Sequence, residues 1–355
     1  MYTKKDRLIT VKGLNVSFMT ANGEVKAVRG VDFYLNQGET LAIVGESGSG
    51  KSVTVQTLMR LNSEPPAVIK EGSIRYTKGD KDVEITQLTN KEMKYYRGKE
   101  FSMIFQDAMT SLNPTMKIGK QICEAICTHT RVSQEEAKKI AMEMLEKVGL
   151  PNPEAVLARY PHTMSGGQRQ RVMIALALSC NPSVLFADEP TTALDVTIQS
   201  QILTLMNQIK KEQNMGIVFI THNLGVVARM ADRVAVMYAG QIVESGTSED
   251  IFYHPKHPYT WGLLGSVPDL KMNTNQRLLS IPGTPPDLFA PPKGCGFSAR
   301  CPYCMKACME HMPLEYQVTD VHEARCWLLD AACSSKIIPP VGRDKTVYQT
   351  KRKEN

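Results

Sequence analysis

The chain has 355 residues, of which 42% are hydrophobic and 22% charged, with a formal net charge of +6. Such a length fits one large domain with an appendage, and so mild a charge gives no argument for nucleic acid. No apolar run approaches the ~18 residues that mark a membrane span, and the N-terminal Met-Tyr-Thr-Lys-Lys-Asp-Arg lacks the apolar stretch of a secretory signal. The expected place is therefore cytoplasmic, with any membrane reached only through partners.

Residues 8–44 read as strands around an Ala21-Asn22-Gly23-Glu24 turn. Leu41-Ala-Ile-Val44 is a short apolar run, as expected for a buried parallel strand. It leads into Gly45-Glu46-Ser47-Gly48-Ser49-Gly50-Lys51-Ser52, which fits G-x-x-x-x-G-K-[ST]. Val53, Val55, Leu58, Met59 and Leu61 then suggest a helix. Glycines let the backbone N–H groups turn toward phosphates at the positive end of that helix. Lys51 is placed to reach the β- and γ-phosphates, and the Ser52 hydroxyl to ligate Mg²⁺. The strand before and the helix after separate this motif from a chance glycine turn.

Residues 85–165 read as helix-rich. Ser133-Gln-Glu-Glu136 is a capping box. Ala137, Ile140, Ala141, Met144, Leu145 and Val148 follow at helical spacing, and Gly149 with Pro151 ends the helix. At Ser165-Gly166-Gly167-Gln168 a Gly-Gly turn opens another helix. The strand-like Val184-Leu-Phe-Ala187 ends in Asp188 and Glu189. Asp188 can hold Mg²⁺, and Glu189 can orient or deprotonate a water beside the γ-phosphate. A pair that merely caps the next helix is the plainer alternative, but Asp-Glu-Pro after an apolar strand suits it poorly. Strand-like runs recur at 217–221 and 234–238 with helical segments between them, which indicates a parallel α/β core.

From residue 254 the composition shifts. His254-Pro-Lys-His-Pro258, Pro282, Pro285-Pro286 and Pro291-Pro292 suggest an irregular extension or linker. Six of the nine cysteines follow: Cys295, Cys301, Cys304, Cys308, Cys326 and Cys333. In a reducing compartment such a cluster means metal more often than disulfides, and soft thiolates select zinc or iron–sulfur. Only Cys301-Pro-Tyr-Cys304 has the usual zinc spacing, and a second pair is missing. Zinc, an iron–sulfur cluster and plain thiols in a packed lobe all stay open on the residues alone.

Together these motifs resemble the ATP-binding subunits of ABC transporters. The resemblance implies an α/β fold. It has an ABC-type P-loop ATPase core, an antiparallel β subdomain, a helical signature subdomain and a proline- and cysteine-rich C-terminal extension. The implied domains are an ABC ATP-binding domain over 8–253, with its helical subdomain at about 90–165, an extension over 254–335 and a tail over 336–355. Ser165, Gly166, Gly167 and Gln168 match the ABC signature, which closes over the ATP held by a partner subunit. Met164 stands where the family has Leu, a volume-conserving change. Gln106 matches the loop that senses Mg²⁺ and water, Asp195 the loop that crosses the dimer interface, and His222 the switch histidine. Phe18 takes the place of the adenine-stacking aromatic, although an aromatic in an alternating strand is ordinarily core.

Further landmarks are similar to the peptide-importer subgroup: Gln106 to Pro114, His257-Pro-Tyr-Thr260, Ile281 to Leu288 and Gly294-Cys-Gly-Phe. Ala108 departs from the subgroup's proline, and Cys304 is an additional thiol. Some members carry a [4Fe–4S] cluster, which by likeness falls to Cys295, Cys301, Cys308 and Cys326; four thiolates are the expected holder. The resemblance thus implies ATP, Mg²⁺ and that cluster as cofactors. The implied partners are a second, non-identical ATPase subunit, two permease subunits and an extracytoplasmic peptide-binding protein. The expected function is to energise uptake of dipeptides or oligopeptides from the cytoplasmic side of the cell membrane. Nickel, heme or oligosaccharide import is the related alternative. A soluble ABC ATPase acting on DNA or ribosomes is the remote one, since no long heptad run or strongly basic stripe is present.

Overall fold

The computed structural model describes residues 6–107, 111–192, 194–266 and 281–333. Ala108 to Thr110 of the Gln106–Pro114 landmark and the whole 336–355 tail lie outside the described residues. Among those described, no helix is long and apolar enough to cross a membrane.

Two sheets make the frame. The smaller is antiparallel, in the order β2-β1-β4-β5: β1 (Arg7–Thr20), β2 (Gly23–Asn36), β4 (Ala67–Lys78) and β5 (Lys81–Glu84). The expected hairpin is there, with Thr20 paired to Gly23 across the turn. The larger sheet runs β11-β12-β10-β9-β3-β8-β7-β6. Its members are β3 (Thr40–Val44), β6 (Phe101–Ile104), β7 (Val184–Asp188), β8 (Gly216–Ile220), β9 (Arg233–Tyr238), β10 (Gln241–Thr247), β11 (Tyr316–Gln317) and β12 (Glu323–Ala324). The pairs from β9 through β3, β8 and β7 to β6 are all parallel. Every residue of β3, β7, β8 and β9 is buried, as parallel strands covered on both faces must be. One apolar core, with Leu14, Val28, Leu35, Ile43, Phe186 and Val218, lies between the two sheets. Another joins the opposite face to the helices between Ile118 and Leu178.

The helical part follows its local signals. Ser133 and Glu136 close a capping box at the start of Gln134–Lys147, and Ser165 with Gln168 closes another at Gly166–Leu178. Two differences stand out. The stretch read as helix-rich contains β6, whose Phe-Ser-Met-Ile is too short for periodicity to separate strand from buried helix. The extension is less irregular than its prolines suggest. It carries the helix Pro258–Gly265, and β11 and β12 continue the main sheet through the pairing of Glu244 with Ala324. Strands of two residues leave no sequence pattern to read.

The buried Glu244 carboxylate anchors that extension. It accepts from the backbone N–H groups of Lys256 (2.7 Å) and His257 (3.0 Å) and pairs with His322 at 2.8 Å. At the other end, Glu100 pins the antiparallel sheet to the main one. It accepts from Tyr76 Oη (2.8 Å), Lys78 Nζ (3.3 Å), Lys81 Nζ (2.6 Å) and Ser183 Oγ (2.6 Å). Burial alone raises its pKa, but the hydrogen bonds from Lys81, Ser183 and Tyr76 and the charge of Lys78 outweigh that, holding it at about 2 against an ordinary 4.5. A carboxylate whose folded pKa is depressed contributes fully above its unfolded value and loses that contribution as pH falls through the folded one. The two lysines are about two-fifths exposed, so screening trims the gain to about 2 kcal/mol. Glu100→Gln is expected to cost about that much near neutral pH. Urea unfolding at several pH values should show the gap to the wild-type chain closing between pH 4.5 and about 2.

Candidate functional site

Four loops leave the carboxyl ends of adjacent parallel strands and meet at one edge of the main sheet. That edge is where open α/β sheets bind ligands. The loop after β3 is Gly45–Ser52. Gly50 caps the helix Lys51–Leu58 with φ 99°, a left-handed conformation that glycine adopts without cost. A Cβ on Gly45 would collide with the Met237 carbonyl oxygen. The loop therefore lies tight against β9. Ser49 is buried, while Ser47 and Gly48 are exposed.

Lys51 is folded into this loop. Its Nζ donates to the carbonyl oxygens of Gly45 (2.9 Å) and Glu46 (2.8 Å) and to Ser49 Oγ (3.4 Å). Burial lowers its pKa, and the nearby carboxylates of Glu189, Asp188 and Glu46 act against that shift. Asp188 closes β7 opposite. Burial raises its pKa, and a hydrogen bond with Ser52 opposes this. Asp188 Oδ1 is buried with no hydrogen-bond partner. An orphaned carboxylate oxygen beside a serine hydroxyl is the kind of hard oxygen set that suits Mg²⁺. Ser52, Asp188 and Gln106 share the wall of a cavity of about 400 Å³.

Glu189 sits at the centre of the group. Its φ is 47°, a left-handed conformation that costs a residue other than glycine roughly 1–2 kcal/mol. Its N–H donates to the Ile220 carbonyl at 2.9 Å, which ties it to the end of β8. His222, just past β8, lies 2.9 Å from Glu189 Oε1 through Nδ1. Facing an ionised carboxylate, which only accepts, Nδ1 would be the donor of this contact. Gln106, just past β6, donates from Nε2 to Glu189 Oε2 at 3.3 Å. The structure thus brings Lys51, Ser52, Gln106, Asp188, Glu189 and His222 together.

It does not bring the signature residues there. Ser165, exposed, and Gly166, Gly167 and Gln168, half-buried, share no hydrogen bond with that group. Their helix is linked to the site from behind, where the Gln170 side chain donates to the Pro190 carbonyl. Asp195 is exposed and caps the helix Val196–Gln213 through Ile198 N–H at 2.9 Å. Beside it Val196 is 82% exposed, an apolar side chain left open to a further surface. Phe18 is half-buried on β1, opposite Val25.

Cys295, Cys301, Cys308 and Cys326 line one cavity of about 10 Å³, together with His257, Phe297 and Trp327. Burial first, and neighbouring thiols after it, push Cys295 up to about 11 and Cys301 and Cys326 up to about 12. Cys304 is exposed and outside that lining. The four cysteines of the expected set thus share one cavity, but their arrangement is not that of a metal site. Among the described residues, no group of three or more His, Cys, Asp or Glu side chains is arranged to hold a metal ion. The cavity as it stands has room for about one water.

Sequence reasoning missed a further layer. Glu46 is an unspecified position of the phosphate-loop pattern, yet its carboxylate pairs with Arg300 and its N–H donates to Tyr259 Oη at 2.8 Å. Those partners lie more than two hundred residues away, so no local signal marks them.

Comparison with known proteins places the chain in a family. The ABC transporter family model matches residues 28–192, and the model of the oligopeptide/dipeptide transporter C-terminal region matches residues 243–308. The chain is 57% identical over 334 residues to the oligopeptide transport ATP-binding protein OppD of Bacillus subtilis, covering 94% of this chain and 92% of that one. It is 50% identical over 339 residues to the dipeptide transport ATP-binding protein DppD of the same organism, covering 96% and 100%. Against DppD of Lactococcus lactis it is 53% identical over 327 residues, covering 92% of each. The fold is similar to the ATP-binding cassette MJ0796, solved as a dimer in a post-hydrolysis state with ADP and Pi. That match has a TM-score of 0.61 and 26% identity, over 68% of this chain and 99% of that one. The chain belongs to the ABC transporter family of ATP-binding subunits, in the branch that carries the oligopeptide/dipeptide transporter C-terminal region.

Proposed function

We propose that this chain is the ATP-hydrolysing subunit that energises uptake of dipeptides or oligopeptides through a membrane importer. The observation that carries the catalytic part is the Glu189 carboxylate, held between His222 and Gln106 beside the unpartnered oxygen of Asp188. ATP lies along Gly45–Ser52, with its triphosphate on the N–H groups of Gly48–Lys51 and the Lys51 ammonium. Phe18 stacks on the adenine. Ser52 and Asp188, with Gln106 nearby, would hold Mg²⁺, which supplies neutralising charge at the β- and γ-phosphates. Glu189 polarises the attacking water and takes up its proton while the bond between the γ-phosphorus and the bridging oxygen breaks. His222 and Gln106 fix where that carboxylate points. Most of the catalysis is positioning and electrostatics, as in other phosphoryl transfers.

Ser165 to Gln168 serve a second ATP, bound to a related ATPase subunit, and Asp195 lies at the interface between the two. Two permease subunits receive the motion, and an extracytoplasmic protein delivers the peptide. The chain is then peripheral, on the cytoplasmic side of the cell membrane. We assign the bounds 8–253 to the ATP-binding domain and 254–335 to the extension.

The extension is the proposed seat of a [4Fe–4S] cluster on Cys295, Cys301, Cys308 and Cys326. Support comes from the shared cavity of these four thiols. In such a cluster each thiolate binds a different iron, so the four sulfurs need not converge on a single ion. Seating it requires the cavity walls to open. Cys301 and the other three residues would be deprotonated by the metal, which supplies a crosslink within the lobe.

Three measurements check these readings. Glu189→Gln should keep ATP affinity and accumulate closed dimers while turnover drops at least about 100-fold; a variant with near wild-type turnover removes the role. Deleting the gene should abolish growth on peptides as the sole amino-acid source, and unchanged growth points to another cargo. Protein purified without oxygen should be brown and contain about four irons per chain. Colourless, iron-free protein with intact thiols excludes the cluster.

A further inference from the structure

The C-terminal extension reaches into the phosphate loop through one side chain. Arg300 lies in the 3-10 turn Ser298–Arg300, and its side chain is only 5% exposed. Its Nη1 donates to Glu46 Oε2 at 2.6 Å and its Nη2 to Glu46 Oε1 at 3.0 Å. This is the two-pronged pairing that gives arginine its geometric control over a carboxylate. The remaining donors are used as well. Nε donates to the Pro282 carbonyl at 2.9 Å, Nη2 to the Ile281 carbonyl at 3.2 Å and Nη1 to Tyr238 Oη at 3.1 Å. The guanidinium is therefore fixed before it meets Glu46.

Glu46 in turn is gripped at three points. Its carboxylate is held by Arg300, its N–H donates to Tyr259 Oη at 2.8 Å, and its carbonyl oxygen accepts from Lys51 Nζ at 2.8 Å. Tyr238, Tyr259 and Phe297 pack edge-on or tilted behind these contacts, with ring centroids 4.5, 5.3 and 5.4 Å apart. Two consequences follow for a bound triphosphate. The loop that carries the phosphate-binding N–H groups is fixed from outside the core fold. The negative charge of Glu46, a residue of the loop itself, is balanced by the Arg300 guanidinium.

We infer that Arg300 is a positioning residue for ATP binding: it clamps Glu46 and so sets the phosphate loop and the Lys51 ammonium from the C-terminal extension. The inference rests on the reading of Gly45–Ser52 as the ATP phosphate loop. Arg300 acts through Glu46, the side chain its fork holds.

Titration calorimetry of the full chain with ATP and Mg²⁺ tests it, with melting temperatures recorded alongside. Arg300→Ala should weaken ATP binding about tenfold, near 1.4 kcal/mol. Arg300→Lys, which keeps the charge and loses the fork, should weaken it about threefold. Tyr259→Phe removes only the hydroxyl that accepts the Glu46 N–H and should also cost about threefold. Wild-type Kd in Arg300→Ala overturns the inference, even where the melting temperature falls. If Arg300→Ala does not fold, wild-type Kd in both Arg300→Lys and Tyr259→Phe overturns it. Lys51→Ala is the control: should it bind ATP like the wild-type chain, the phosphate-loop reading itself fails, whatever Arg300 does.

Discussion

The order of four parallel strands governs the rest of the structure. With β3, β8, β7 and β6 side by side, the loops that follow them open at one edge in the order Gly45–Ser52, His222, Asp188–Glu189 and Gln106. These segments come from four separate places in a stretch of more than 170 residues, and only the sheet makes them neighbours. Because every residue of β3, β7 and β8 is buried, a slip of one strand would disrupt close packing on both faces and move its loop out of the site. The hydrophobic core thus fixes the chemistry. Glu189 shows this at the scale of one residue. Its left-handed backbone is unfavourable by itself, and the bond to Ile220 at the end of β8 is what sustains it.

What the sequence shows of this is uneven, for physical reasons. The phosphate loop, the Asp-Glu pair and the capping box at Ser133 each depend on residues within about eight positions, and all were legible. The strand Val184–Asp188 was legible too, because its apolar run is bounded by a strong motif. Strand β6 is one residue shorter and nearly as buried, but it has no motif beside it, and it stayed hidden in a helical context. The pairing of Glu244 with Ala324 and the grip of Arg300 on Glu46 join residues 80 and 254 positions apart. Contacts of that separation are chosen by packing, which a local pattern does not encode. The cysteines fall between these cases: their clustering is visible in the sequence, but the cavity that four of them share is not.

The site's own geometry explains why half of the motifs look idle in a single chain. Ser165, Gln168 and Asp195 are spent locally on capping helices, and Ser165 and Asp195 are exposed. By contrast, Lys51, Asp188 and Glu189 crowd together with an unpartnered oxygen among them. On the proposed reading both halves are completed by a second subunit. The capping box at Ser165 then has a double use, since the turn that opens the helix Gly166–Leu178 also presents its first N–H groups, and with them a positive helix end, outward.

The extension cannot be regarded as a passive appendage. It adds β11 and β12 to the sheet edge, is tied by the buried Glu244, and sends Arg300 into the phosphate loop. Its apolar part, with Phe297, Ile281 and Leu288, packs on the same core as Val44 and Tyr238. Cys301 directly follows Arg300, and the turn that positions the guanidinium is closed by the Cys301 N–H donating to the Ser298 carbonyl. Ser298, Cys295 and Cys301 also wall the thiol cavity. The cavity and the clamp on Glu46 are therefore two faces of one short turn. A close-packed turn of this kind transmits displacement rather than absorbing it. Whatever occupies the cavity must be compatible with the Arg300 fork, and the order of the cysteine lobe becomes part of the order of the ATP site.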